Sequence, residues 1–319
     1  MENITSIKIF GFMANWSPFF LAFVILITAV FFLITTKWYR DFEGGRPLTR
    51  KEGALFVVNM ILLYAMYGAP VDLLSHILFT FHMVQMAFVL FLIAPLIYFS
   101  VPDYLQKYIV KLPVIGPVLR LGAKKPLVTL MLLIAAFSIY HLPVVMDNLK
   151  MSATLHTVVL ALMFLTAVMA FYPIFNKVEP EEEQLGGLFK LLYIFGIGAF
   201  VTPACALIIF AGSPMYSTFT EGEAWLSAMA LCVPAGILDS IAGAGMISGP
   251  EYFTNTTPLV DQQTGGIIMK VLQEVFFGVM LAHIFFKWFN EERQNEDQIT
   301  ERALEKAQAQ KEMNNRFRV

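Results

Sequence analysis

Cysteine is nearly absent from this chain: 319 residues contain only Cys205 and Cys232. Two thiols build neither a disulfide framework nor a thiolate zinc finger. Charge is equally scarce, at 14% Asp, Glu, Lys and Arg, where soluble domains carry roughly 25%. The net charge of −2 provides no basic surface for nucleic acid. No CxxCH haem-attachment motif and no GxGxxG dinucleotide fingerprint occurs. No nucleophile–base arrangement stands out either, so a non-enzyme is expected. What is abundant is apolar surface: 57% hydrophobic residues, with 30 Phe and 17 Met, and a mean hydropathy of +0.66. These values predict an all-α, polytopic membrane helix bundle.

A membrane-crossing helix needs about 20 predominantly apolar residues. Seven stretches meet or approach that length: 17–36, 52–69, 73–99, 127–142, 153–175, 188–211 and 267–289. Residues 1–16 lack a basic region followed by an apolar core, so the first span is expected to be an uncleaved anchor. An eighth stretch, 225–247, is interrupted by Pro234 and Asp239. Loop charge arbitrates, because Lys and Arg collect on the cytoplasmic side. Lys37, Arg40, Arg46, Arg50 and Lys51 follow the first span; Lys107, Lys111, Arg120, Lys124 and Lys125 follow the third. The alternate loops hold only Lys150, and 212–266 has no Lys or Arg. Seven spans with the N-terminus outside and the C-terminus cytoplasmic satisfy this pattern. Residues 1–289 are then one transmembrane domain, with a surface helix over 223–237 in the outer loop 212–266. Residues 290–319 mix seven acidic with six basic side chains and read as a charged cytoplasmic tail, helical or disordered.

The basic stretch 100–126 alternates apolar with cationic residues, which suits a segment lying at the cytoplasmic interface. Ordinary anchoring is the simpler reading and specific binding of anionic lipid the sharper one. Glu179, Glu181, Glu182 and Glu183 read as a solvated loop. No pair of matched broken helices marks a secondary transporter.

The topology places four of the five histidines near one surface. His76 and His82 fall in the outer half of the third span, His141 ends the fourth, and His156 opens the fifth; His283 lies at the other end. On a continuous helix through the third span, His82, Met86, Asp72, Met83 and His76 share a sector of roughly 120°. His82 and Met86 are an i, i+4 pair, as are Asp72 and His76. Imidazole and thioether ligands suit copper, and thioether selects Cu(I). The candidate metal ligands are His76, His82, Met83, Met86, His141 and His156, with Asp72 and Asp147 as carboxylates that could orient a histidine. Methionine also fills cores, and a bis-histidine haem or a quinone site is the competing assignment. Lys270 and Glu274 in the last span read as an ion pair or as part of a proton or ion path. Cys205 and Cys232 could pair, ligate metal, or simply be buried.

Five segments carry a family resemblance: SHILFTFHMVQMAFVLFLIAP (75–95), SIYHLPVVMDNLKMSATLH (138–156), TPACALIIFAGSPMY (202–216), LCVP (231–234) and DQQTGGIIMKVLQE (261–274). Together they resemble the CtaG family of Bacillus, multi-spanning assembly factors for caa-type cytochrome c oxidase, over about Trp16 to Phe289. The resemblance implies a role in maturing the oxidase by supplying copper to its membrane-embedded centre. Cytochrome c oxidase subunits are the implied partners, in a cell membrane, with membrane lipid and a second copy as further expectations. His76, His82, His141 and His156 match family histidines. Many distant relatives read HMxxH and LHxxxH, and here Met86 and Leu160 stand at the second position. A mixed His/Met site follows from that departure.

Overall fold

In the computed structural model, which describes residues 5–180, 184–220, 222–238 and 249–316, five helices begin on a proline. They are Pro18, Pro70, Pro126, Pro143 and Pro258. Proline suits that first position because the N–H it lacks would have no partner inside the helix. The helices are α1 (Pro18–Thr36), α2 (Arg50–Tyr67), α3 (Pro70–Ile77), α4 (Phe79–Ser100), α5 (Asp103–Lys111) and α6 (Ile115–Lys124). They continue as α7 (Pro126–Tyr140), α8 (Pro143–Lys150), α9 (Ala153–Phe175), α10 (Gly187–Ile209), α11 (Gly222–Met229) and α12 (Pro258–Arg316). No strand occurs among the described residues.

Five helical stretches are long and apolar enough to cross a bilayer: Ile7–Thr36, Phe79–Ser100, Ala153–Phe175, Gly187–Ile209 and Pro258–Gln294. Two bent pairs, Arg50–Tyr67 with Pro70–Ile77 and Ile115–Lys124 with Pro126–Tyr140, bring the number to seven if each is one span. The core is built mainly by α4, α7, α9, α10 and α12, whose inward faces bury Phe91, Phe137, Phe171, Ile197 and Met269.

The third span departs from the expected continuous helix. Leu78 is extended, at φ −124° and ψ 132°, and separates α3 from α4. A break among buried residues leaves backbone groups without helical partners, and the protein supplies partners for them. The Asp261 carboxylate accepts the N–H groups of Phe79 (2.7 Å) and Thr80 (3.2 Å), and the Thr80 hydroxyl donates to the Asp261 carbonyl. The indole N–H of Trp225 donates to the Ile77 carbonyl. The helical-wheel grouping of Asp72 and His76 with His82, Met83 and Met86 therefore does not hold as one face; each side of Leu78 has its own.

Asp261 reaches α4 because α12 starts at Pro258, nine residues before the apolar run at 267. The polar segment DQQTGG is helical since its side chains bond to neighbouring chain. Gln262 accepts from Met215 N–H and donates to the Ile208 carbonyl, and Gln263 donates to the Ala211 carbonyl. The glycines that follow let three helices close up. A Cβ on Gly265 would sit 2.8 Å from Phe79 and 3.2 Å from Met83, and one on Gly266 would sit 2.7 Å from Ile209.

Within α4, residues Val89–Ile93 form a π-helical turn just ahead of Pro95. Proline removes one helical donor and crowds the preceding turn; the wider turn relieves this, and the Asn59 amide donates to the Ile93 carbonyl. The surface helix expected over 223–237 is interrupted: α11 ends at Met229, residues 230–234 are not helical, and a helical turn resumes over 235–238 after Pro234. It is also less superficial than expected, because Trp225 and Met229 are buried against Phe10, Leu73, Ile77 and Phe253. The remainder of the 225–247 stretch, from Asp239 on, lies outside the described residues. In the expected tail, α12 continues through Arg316 as helix.

Replacing Asp261 with Ala should expose the cost of the break. Two N–H groups lose their acceptor, one of them buried, and the loss is about 1–3 kcal/mol of stability. Asp261→Asn, which keeps one acceptor oxygen, should fall between wild type and Asp261→Ala in thermal unfolding in detergent.

Candidate functional site

Four histidines gather at one end of the bundle, around Tyr140. His76 stands on α3, His82 on α4, His141 caps the end of α7 and His156 lies in the first turn of α9. All four are buried. They form two pairs: the His82 and His141 rings are 5.9 Å apart, and the His76 and His156 rings 5.7 Å apart. Tyr140 joins the pairs. Its ring stacks on His82 at 5.7 Å, and its hydroxyl is hydrogen-bonded to His156 Nε2 at 3.1 Å.

Backbone carbonyls set the tautomers. His141 Nδ1 donates to the Phe137 carbonyl (2.7 Å) and His76 Nδ1 donates to the Asp72 carbonyl (2.9 Å). A neutral imidazole that donates through Nδ1 presents a lone pair at Nε2. His141 Nε2 and His82 Nε2 are both fully enclosed, and neither has a hydrogen-bond partner. Buried polar atoms are ordinarily paired; these two unpartnered nitrogens lie on neighbouring rings tilted by 55°.

The other expected residues take varied positions. Met86 is wholly buried one turn deeper than His82, and Met83 packs against Gly265 of α12. Asp72 meets His76 through its backbone, while its carboxylate accepts from Gln85 (2.9 Å). The Asp147 carboxylate accepts from the backbone and hydroxyl groups of Ser217 and Thr218. It thus fixes the loop that follows α10, not a histidine. That loop roofs the site: Tyr216 stacks on Phe79 at 4.7 Å and donates to the His141 carbonyl, and Phe219 packs 6.0 Å from His82. Among the described residues no three His, Cys, Asp or Glu side chains converge on one metal position.

His283 stands apart, edge-on to Phe99. Lys270 pairs with Glu274 at 2.5 Å and donates to the Thr202 hydroxyl. Cys205 and Cys232 are both free thiols. A cavity of about 460 Å³ adjoins the His76–His156 pair, lined at its polar end by Asp72, Gln85 and Tyr67 and elsewhere by Phe20, Leu63, Leu160 and Phe164.

Two site residues carried little signal in the sequence. Tyr140 was marked only by its place before His141. Lys150 read as a loop cation, yet it is 1% exposed, its ammonium has no hydrogen-bond partner, and it lies 3.8 Å from the centre of the Phe219 ring. Burial pushes Lys150 down to about 7, against the opposing pull of Cys232, Asp147 and Asp72. Its folded value lies below that of the unfolded chain, so the native state binds fewer protons between the two values. Stability contributed by this group is therefore least below pH 7 and grows as pH rises above it. Wild-type protein free of metal should gain up to about 1.4 kcal/mol per pH unit between pH 7 and 9 from this group. Lys150→Met should remove that slope and exceed wild-type stability at pH 6 by about 1–4 kcal/mol. Denaturant unfolding in detergent across this pH range checks both.

No curated protein and no solved structure matches the chain. A family model does: that of the cytochrome c oxidase caa3 assembly factors (Caa3_CtaG) matches residues 29–291. The match takes in the C-terminal part of α1, all of α2 to α11 and α12 as far as Glu291, with all four clustered histidines, Tyr140, Lys150 and the capping residue Asp261. The chain accordingly belongs to the cytochrome c oxidase caa3 assembly factor family.

Proposed function

We propose that this chain is a non-catalytic, multi-pass protein of the cell membrane that holds Cu(I) between His82 and His141 and hands it to a metal centre of cytochrome c oxidase. The observation that carries the reading is the pair of buried, unpartnered Nε2 atoms on neighbouring imidazoles. A metal–nitrogen bond of about 2 Å puts the centroids of two imidazoles sharing an ion about 6 Å apart, close to the 5.9 Å separation. Two neutral imidazoles suit a monovalent soft ion, and the thioethers of Met83 and Met86 belong to the same class of ligand. Copper here is cargo. A site of two nitrogens with few further donors leaves the ion coordinatively unsaturated, as transfer to an oxidase subunit requires. The His76–His156 pair, linked to the first through Tyr140, lies beside the lateral cavity and offers a second station.

The distribution of Lys and Arg supports a seven-span arrangement with the histidine cluster at the outer face and α5 and α6 at the cytoplasmic face. The apolar cavity beside His76 and His156 favours one competing reading, a quinone or haem held by that pair.

Metal analysis of purified protein loaded with Cu(I) separates the readings. Wild type should retain copper, His82→Ala and His141→Ala should each lower affinity at least tenfold, and the double variant should lose it. His76→Ala should have the smaller effect. Unchanged copper stoichiometry and affinity in the double variant would sink the proposed site. A Soret band in protein purified with haem available would favour the competing reading.

A further inference from the structure

The end of the bundle opposite the histidines holds a second cavity, of about 600 Å³, that the copper reading does not use. It lies between α5, α6, the loop after α1 and the segment that follows α9. Each of the two short helices turns an i, i+4 pair of cations into it: Lys107 and Lys111 from α5, Arg120 and Lys124 from α6. Residues four apart share a helix face, so the two helices together present four positive charges to one hollow. Glu43 and Glu179 are the described carboxylates in the lining. Glu43 pairs with Lys111 at 2.8 Å, and Glu179 lies 3.9 Å from the Arg120 guanidinium. Lys107 and Lys124 have no ion-pair partner among the described residues. Glu181, Glu182 and Glu183, next in the chain, are outside the described residues.

The surroundings are apolar and outward-facing. Val114 and Ile115, at the link between α5 and α6, are exposed, as is Leu127 at the start of α7. Tyr108 lines the cavity, half-exposed, with its ring edge-on to Phe42 at 5.1 Å. Exposed aliphatic side chains next to a cationic hollow are what an interfacial helix shows where acyl chains end and headgroups begin. Basic hollows between helices at that depth recognise phosphate-bearing headgroups. A free anion would find the same charges, but it would leave the aliphatic rim uncovered.

We propose that this cavity is a headgroup site for an anionic phospholipid, with Lys107 and Lys124 as the ligands of its phosphodiester and the acyl chains lying against Val114 and Ile115. The site is independent of copper and stands or falls apart from it.

The test uses the full chain in phosphatidylcholine nanodiscs, into which phosphatidylglycerol is titrated, with retained lipid read by native mass spectrometry. Wild type should retain phosphatidylglycerol selectively. The double variant Lys107→Gln/Lys124→Gln should retain it at least tenfold less, and Lys107→Arg/Lys124→Arg should recover much of the difference. Lys37→Gln/Lys51→Gln makes the same charge change at the same end of the bundle outside the cavity, and should behave as wild type. Melting temperatures in pure phosphatidylcholine show whether each variant is folded; if the Gln variant is not, Lys107→Gln alone replaces it and should lose at least threefold. Equal retention by wild type and the cavity variants overturns the proposal. So does an equal loss in the Lys37/Lys51 control, which would mean diffuse surface attraction. Protection by millimolar inorganic phosphate equal to that by phosphatidylglycerol overturns the lipid assignment in favour of a soluble anion.

Discussion

The carboxylate of Asp261 holds the N-terminus of α4, and the histidine cluster depends on that contact. Leu78 interrupts the helix in the protein interior, where an unpaired N–H or C=O has no water to turn to. Asp261 accepts the N–H groups on one side of the break and Trp225 donates to the carbonyl on the other. With those groups satisfied, the extended Leu78 resets the register of side chains between α3 and α4. His76 lies beside His156 and His82 beside His141, each on its own side of the break. Both capping residues come from more than a hundred positions away in sequence, so the site is assembled only when the last helix and the chain between α10 and α12 have docked.

The same logic runs through the polar groups that remain. Gln262 and Gln263 bond to the end of α10 and the chain beyond it, Asp147 to residues 217 and 218, and Gln85 to Asp72 and to the Met66 carbonyl. Each of these side chains ties one segment of the outer end to another. Against that background of satisfied groups, the unpartnered Nε2 atoms of His82 and His141 and the unpartnered ammonium of Lys150 stand out. A buried ammonium without a hydrogen-bond partner bears the desolvation cost of its charge. Its contact with the Phe219 ring and the nearby Asp147 and Asp72 offset this in part.

Much of the architecture was legible because its determinants are local. Seven apolar runs correspond to helices in the structure, since hydropathy over some 20 residues and a proline at a helix start need no tertiary information. The gathering of four histidines was legible for a similar reason: alternating spans return the chain to the same side, and residue position along a span gives depth. What failed was continuity. The wheel through residues 72–86 assumed an unbroken helix, and the break at Leu78 is stabilised by residues no local window contains. The roles of Asp147 and Lys150 were hidden for the same cause. Asp147 looked like a carboxylate free to orient a histidine, but its partners lie seventy positions on. Lys150 looked like a solvated loop cation because its burial comes from packing, not from neighbours in sequence.

By itself, then, the sequence determined the class of protein, the approximate spans, the basic and non-basic ends and the family, because composition, apolar run length and ordered motifs are properties of the chain. Only the tertiary structure decided which histidines face each other, which imidazole nitrogens remain free, and which cations share a hollow. Those are matters of helix direction and of where buried polar groups find partners, and both are settled between segments far apart in the chain.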